Sequence, residues 1–275
     1  MAKRGKKKSG WRIFFRGIYL TFKFIFSIPF YMLFWIVKMH NKTKKKSIEV
    51  KIDKERSSKL PKYSKFETID AVSGDFSDFE KNLINKDSSI GIILGARGSG
   101  KSAIGIKILE NLYSQTKNKR NYFAMGFIKA EMPSWINVVD SIDKIKNNSY
   151  VLIDEGGILF SSRKSMSLAN KLLSELILIA RHKNLSIIFI SQNSSNLEVN
   201  ILRQADYLIL KPSSLLQKDF ERKIIKNLYS QLSIDFKKLE NRKGVAYIHS
   251  DVFEGFIENS LPSFWTSSLS KSFEK

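Results

Sequence analysis

Eight consecutive residues constrain this chain more than any others: Gly95-Ala96-Arg97-Gly98-Ser99-Gly100-Lys101-Ser102. They have the spacing of a glycine loop closed by Lys and Ser. They also stand in the required context, after the apolar run 89–94 and before AIGIKILENLY, whose Ile104, Ile108, Leu109 and Leu112 fall at helical spacing. Strand, glycine loop and helix together present main-chain N–H groups to an anion. The glycines let those groups converge on phosphate oxygens without Cβ obstruction. The helix opening near Lys101 points its positive end at the same place. Lys101 can reach the β- and γ-phosphates of a nucleotide, and the Ser102 hydroxyl suits Mg²⁺. ATP and Mg²⁺ are therefore the expected ligands; a plain glycine turn would need neither the flanking strand nor the helix.

Further apolar runs at 121–127, 149–154, 185–192 and 205–211 alternate with helical patterns, among them the long Gly- and Pro-free segment 166–183. Such alternation implies an α/β fold, a mostly parallel sheet flanked by helices on both faces, here of the P-loop NTPase kind. Residues 244–259 read as a terminal hairpin. Val151-Leu152-Ile153-Asp154-Glu155 ends in two acids about fifty residues after the loop. Asp154 can hold Mg²⁺ through water, and Glu155 can polarise an attacking water. Alone, the pair is as readily a solvent-facing strand end; beside a phosphate loop, hydrolysis explains it better. Gly156 and Gly157 suit a sharp functional bend or a plain turn. Gln192 closes the next strand, where an amide beside a nucleotide crevice can sense the γ-phosphate or orient water. Arg181 ends the preceding helix. It either caps the helix dipole or reaches a neighbouring subunit's ATP to stabilise transition-state charge, with Arg203 a weaker rival.

Taken in order, GARGSGKS, YVLIDEGG and ARHKNLSIIFISQ resemble the FtsK/HerA-type P-loop ATPases. That group includes viral DNA-packaging ATPases and the zonular occludens toxin (Zot)-like proteins of filamentous phages. The resemblance covers roughly residues 75–260. It implies a ring oligomer, usually a hexamer, in which ATP hydrolysis drives DNA movement. It places Lys101 and Ser102 on phosphate and Mg²⁺, Asp154 and Glu155 on Mg²⁺ and water, Gln192 in sensing, and Arg181 as a finger acting in trans. Unlike the usual Zot-like arrangement, the apolar stretch here precedes the ATPase region, and no large domain is expected after Trp265. A compact viral or mobile-element ATPase tethered by its front end fits better.

The front end shapes the remaining expectations. The chain carries 47 Lys+Arg against 26 Asp+Glu, a formal charge of +21, and residues 1–46 hold thirteen basic residues and no acid. From Trp11 to Val37 the sequence is strongly apolar. Its longest uncharged stretch, 24–37, is fourteen residues, short of the ~20 that a spanning helix needs; counting from Gly17 gives twenty-one with Lys23 inside. At ~100° per residue, Arg12, Arg16, Lys23, Ser27 and Lys38 fall within about 80° of one face. That stripe suits an interfacial helix with snorkelling cations, a tilted span, or a shallow hairpin kinked at Pro29. A buried core helix would rarely carry such basic flanks. Attachment to a membrane through residues 11–38, with the ATPase region cytoplasmic, is the expectation.

The organisation expected is a basic, Phe-rich segment (1–46), a linker with short strands (47–88), an ATPase domain (89–260) and an irregular tail (261–275). Within the linker, Phe76, Phe79 and Leu83 share one face of an amphipathic turn. With its acids outnumbered, the ATPase part permits DNA phosphate contacts. It shows no base-reading motif, so such binding should be sequence-tolerant and steeply salt-dependent. Ser161-Ser162-Arg163-Lys164 reads as a DNA-contacting pore loop or as a solvated turn. The absence of Cys excludes disulfides, thiol chemistry and Cys-ligated zinc; His40, His182 and His249 are too scattered for a metal site. Three functions fit. A membrane-associated ATPase that translocates or packages DNA leads, ahead of a membrane morphogenesis or secretion ATPase with a protein client, and a slow nucleotide-dependent switch.

Overall fold

The computed structural model describes residues 10–116, 119–156, 166–266 and 269, with residues 20–33, 166–169 and a few other helical positions described in backbone only. The chain divides into two compact units, one up to Lys54 and one from Glu55 onward.

The first unit is helical. α1 (Gly10–Ser58) passes through Pro29 as helix, so the hairpin alternative does not describe it. Residues 47–58, expected as linker, continue the same helix, because SIEVKIDKERSS contains no Gly or Pro to stop it. Among the described residues, no helix is long and apolar enough to cross a membrane. The side chains at 20–33, most of the apolar stretch, lie outside that description, as does that of Arg12. Phe14, Phe15, Tyr19, Phe34 and Trp35 are each more than half exposed, which sets this helix apart from a buried core helix.

The second unit is built on nine strands: β1 (Glu67–Gly74), β2 (Ser89–Leu94), β3 (Asn121–Met125), β4 (Asn137–Val138), β5 (Ser149–Asp154), β6 (Leu185–Ile190), β7 (Tyr207–Leu210), β8 (Val245–Ser250) and β9 (Phe253–Glu258). Their order is β1-β9-β8-β7-β2-β6-β5-β3-β4. From β7 to β4 every pairing is parallel; β7–β8, β8–β9 and β9–β1 are antiparallel. Every residue of β2, β5 and β6 is buried, as a sheet covered on both faces requires.

Helices supply the covers: α2 (Phe76–Asn85), α3 (Lys101–Thr116), α4 (Met166–Lys183), α5 (Val199–Arg203), α6 (Leu215–Phe220) and α7 (Lys223–Lys238). Alternate strand residues point to opposite faces. On one face Ile93, Leu152 and Ile190 meet Phe76, Phe79 and Leu83 of α2 and Ile104 and Ile108 of α3. On the other, Ile92, Val151 and Ile187 meet Leu173, Leu176 and Ala180 of α4 and Ile225 and Tyr229 of α7.

The amphipathic turn expected from Phe76 is α2, capped by the Asp75 carboxylate, which accepts from Ser77 N at 2.7 Å. Since β1 pairs with β9 and α2 covers the sheet, the latter part of the expected linker belongs to this unit. The buried carboxylate of Glu110 on α3 gathers the chain's approach and exit. It accepts from Lys62 N at 3.0 Å, Ser263 N at 3.1 Å and its ion-pair partner Lys107 Nζ at 2.8 Å. The topology sets β6 between β2 and β5, so the carboxyl ends of these three strands lie side by side. That edge is where open α/β sheets bind ligands.

Candidate nucleotide site

β2 delivers the chain into the loop, and three glycines make the path possible. Gly95, Gly98 and Gly100 have φ of +152°, +77° and +89°, conformations that side chains disfavour. A tight turn from Ser99 N to Ala96 O (3.1 Å) shapes the loop tip, where Arg97 is exposed. Lys101 is the first residue of α3. Its buried ammonium donates to Gly95 O at 2.8 Å and Ala96 O at 2.9 Å, folding back over the loop. Burial lowers the Lys101 pKa, while Asp154 and Glu155 act to raise it. An anion arriving at the loop would supply the countercharge this ammonium has only in part.

The two acids reach the loop from the end of β5. Ser102 Oγ donates to Asp154 Oδ2 at 2.8 Å, and Gly156 N donates to Asp154 Oδ1 at 3.1 Å. Glu155 is buried, and its carboxylate accepts from Ser191 Oγ at the end of β6. Burial raises the Glu155 pKa, Asp154 adds to the rise, and Ser191 and Lys101 oppose it. The loop, the Ser102–Asp154 oxygen pair and the buried glutamate therefore form one centre.

Gln192 follows β6 and is exposed. A Cβ built on Gly156 would lie 3.3 Å from Asp154 Oδ1 and 3.9 Å from Gln192 Nε2, so the amide borders the acids. The loop carrying Gln192 is gripped from below: its carbonyl accepts from Gln217 Nε2 of α6, Ser194 N donates to the buried Glu221 carboxylate at 2.7 Å, and Arg222 Nε donates to Ser194 O at 3.0 Å.

Arg181 lies elsewhere. It is exposed in the last turn of α4, before β6, whereas Gln192 lies after it. The six residues of β6 separate the two by ~20 Å. Arg203, at the end of α5 and before β7, is at the same amino-terminal edge. Neither is brought to the loop of its own chain. Gly157 and the segment 161–164, read as a pore loop or turn, lie outside the described residues.

Two cations that sequence reading passed over are prominent. The Arg120 guanidinium donates to Lys86 O (3.1 Å), Asp87 O (3.0 Å), Ser149 O (3.2 Å) and Asn184 O (2.7 Å), and stands 4.1 Å from the Tyr150 ring centroid. It ties together the amino ends of β2, β3, β5 and β6. Lys211, directly after β7, is 1% exposed and runs alongside the phosphate loop; a lysine closing the apolar run ADYLILK was its only signal.

Ser102 Oγ and Asp154 are hard oxygen donors side by side, a fit for Mg²⁺. Among the described residues no three His, Cys, Asp or Glu gather as a metal cage. An ion here would take its remaining ligands from phosphate and water, as Mg²⁺ commonly does.

No protein-family model and no curated protein matches the sequence. Solved structures are similar in fold. The genome packaging NTPase B204 of Sulfolobus turreted icosahedral virus 2, in complex with ATP-gammaS, is similar at 16% identity and a TM-score of 0.44, over 64% of this chain and 100% of that one. EssC (ATPases 2 and 3) of Geobacillus thermodenitrificans gives 14% and 0.41, over 69% of this chain and 43% of that one. Thermomonospora curvata EccC (ATPases 2 and 3), in complex with a signal sequence peptide, gives 10% and 0.44, over 70% and 41%. By its own residues and strand order, with a glycine loop after β2, a helix opening at Lys101 and acids ending β5 across the intervening β6, the second unit has the P-loop NTPase fold.

Proposed function

We propose that this chain is a membrane-associated ATPase that hydrolyses ATP to translocate or package DNA, in a virus or mobile element. One observation carries the reading: Ser102 Oγ lies 2.8 Å from Asp154 Oδ2, with Glu155 buried beside it and Lys101 over the loop. The main-chain N–H groups of Gly95–Ser102 and Lys101 bind the phosphates. Ser102 and Asp154 hold the Mg²⁺, which when bound neutralises charge on the phosphates. Glu155, steadied by Ser191, polarises the attacking water, and Gln192 reads whether the terminal phosphate is present. Arg181 acts from a neighbouring subunit of a six-membered homo-oligomeric ring, on a site its own chain does not reach.

The basic excess supports sequence-tolerant contact with DNA phosphates. The exposed aromatic side chains of α1, among thirteen cations and no acid in residues 1–46, support anchoring to an anionic membrane with the ATPase unit cytoplasmic. The test is Mg²⁺-dependent ATP turnover at low salt, with and without double- and single-stranded DNA. DNA should stimulate turnover, and Glu155→Gln should keep ATP bound while losing on the order of 100-fold in rate. Turnover indifferent to DNA would favour a protein client. A rate near zero that Glu155→Gln hardly changes would favour a nucleotide-dependent switch.

A further inference from the structure

We infer that Lys211 is a second cation of the nucleotide site, a positioning residue whose buried ammonium backs the phosphate loop and favours nucleotides whose β- and γ-phosphates occupy it. The inference rests on reading Gly95–Ser102 as a nucleotide loop, and the geometry around Lys211 carries it further. Lys211 N donates to Leu94 O at 2.8 Å, and Ala96 N donates to Pro212 O at 3.0 Å, so residues 211–212 run beside the start of the loop. A Cβ on Gly95 would meet Lys211 Cβ at 2.6 Å; one on Gly100 would meet Lys211 Cε at 3.5 Å and Nζ at 3.9 Å. The lysine stem thus passes along the loop from its first glycine to its last. From the other side, the Tyr229 hydroxyl of α7 donates to Lys211 O at 3.1 Å.

The ammonium is fully hydrogen-bonded yet not neutralised. It donates to Gly244 O and Val245 O, each at 2.9 Å, and to Asn259 Oδ1 at 3.4 Å, all uncharged oxygens of the β8–β9 hairpin. Among the described residues no carboxylate pairs with it. Nearby on the hairpin, Glu258 is taken by Arg242 at 3.3 Å, and the loop itself contributes only the cations Arg97 and Lys101. Burial brings the Lys211 pKa down to about 7. A side chain needed only for volume would avoid this desolvation, since an apolar one of similar size fills the space without it. A bound polyphosphate is the countercharge that fits the position, and because attraction falls with distance, the β- and γ-phosphates held in the loop count for more than an α-phosphate alone.

The test compares Kd values for MgATP, MgADP and AMP by calorimetry, at pH 6.5, for the full chain and for Lys211→Gln, Lys211→Met and Lys211→Arg. Thermal unfolding is measured alongside. The neutral variants should weaken MgATP about tenfold, MgADP less and AMP hardly at all, while Lys211→Arg stays within about threefold for MgATP. Equal weakening of all three nucleotides would mean a distorted loop and would overturn the inference, as would unchanged MgATP affinity in a folded neutral variant. A wild-type chain that binds none of the three would instead sink the nucleotide reading itself. Should neither neutral variant fold, lysine-selective ¹³Cε NMR of the unaltered protein decides, with Lys211 assigned by its loss in Lys211→Arg. MgATP should hold Lys211 in its charged form at a pH where the free protein has lost it; an unmoved titration would overturn the inference.

Discussion

At the amino ends of β2, β6, β5 and β3, Arg120 directs two of its nitrogens to four main-chain carbonyls and lays its plane over Tyr150. At the carboxyl ends of the same sheet, Lys101 folds back onto carbonyls of its own loop, Glu155 is buried with a raised pKa, and Lys211 has no carboxylate partner among the described residues. One end uses its cation as a permanent tie between strands. The other holds charged groups whose best partners are phosphate and a divalent ion. Strand order explains the division. The amino ends receive tight returns from helices, whose free carbonyls one guanidinium can collect, whereas the carboxyl ends open into the glycine loop and the loops carrying Asp154 and Gln192.

If that contrast is sound, removing a cation should have opposite signatures at the two ends. The largest effect is expected from Lys101→Ala. Its ammonium bonds only carbonyls five and six residues away, so the thermal midpoint should change little. Turnover should fall on the order of 100-fold or more, because a charge aimed at the reacting phosphates is lost. Loss of fold in step with loss of rate would break the comparison. Arg120→Ala should do the reverse. Four hydrogen bonds and a cation–π contact disappear from a half-buried position, a cost of about 2 kcal/mol. The ATP turnover of the folded fraction should stay near wild type. Denaturant unfolding read beside steady-state rates separates the two.

The same division governs what was legible in the amino-acid sequence. The chemistry of the phosphate loop is written in consecutive residues, because backbone N–H groups can converge only where glycines stand at fixed spacing. Asp154, Glu155 and Gln192 could be read as polar endings of apolar runs, since parallel strands bring their carboxyl ends to one edge. α2 was visible in the spacing of Phe76, Phe79 and Leu83. α7 offered the same signal in Ile225, Tyr229 and Leu232, all buried, but it was masked by surrounding lysines and serines. Arg120, Ser191 and Lys211 carried no local signature. Arg120 acts only because β2, β6, β5 and β3 are neighbours in that order, Ser191 because β6 lies beside β5, and Lys211 because a hairpin from residues 244–259 returns beside β7 in the sheet. Residues 47–58 misled for another reason: polar composition suggested a linker, while nothing in them breaks a helix.

A smaller effect sharpens the contrast through pH. In the unfolded chain Lys211 has the ordinary lysine value of 10.5, and in the fold burial brings it to about 7. Between those values the unfolded state binds more protons than the folded one, so stability attributable to this group rises with pH across that window and levels off below about 7. From pH 7 to pH 8 the rise should be on the order of 1 kcal/mol. Subtracting the same profile for Lys211→Met removes the other groups that titrate there, and the difference should have positive slope. A flat difference would mean that the ammonium is as comfortable in the fold as in water, and would place Lys211 with Arg120 among the permanent ties. Saturating MgATP should reduce the slope, because the bound phosphates favour the protonated amine and narrow the gap between the two states. Chemical unfolding curves at four or five pH values, with and without nucleotide, measure both slopes.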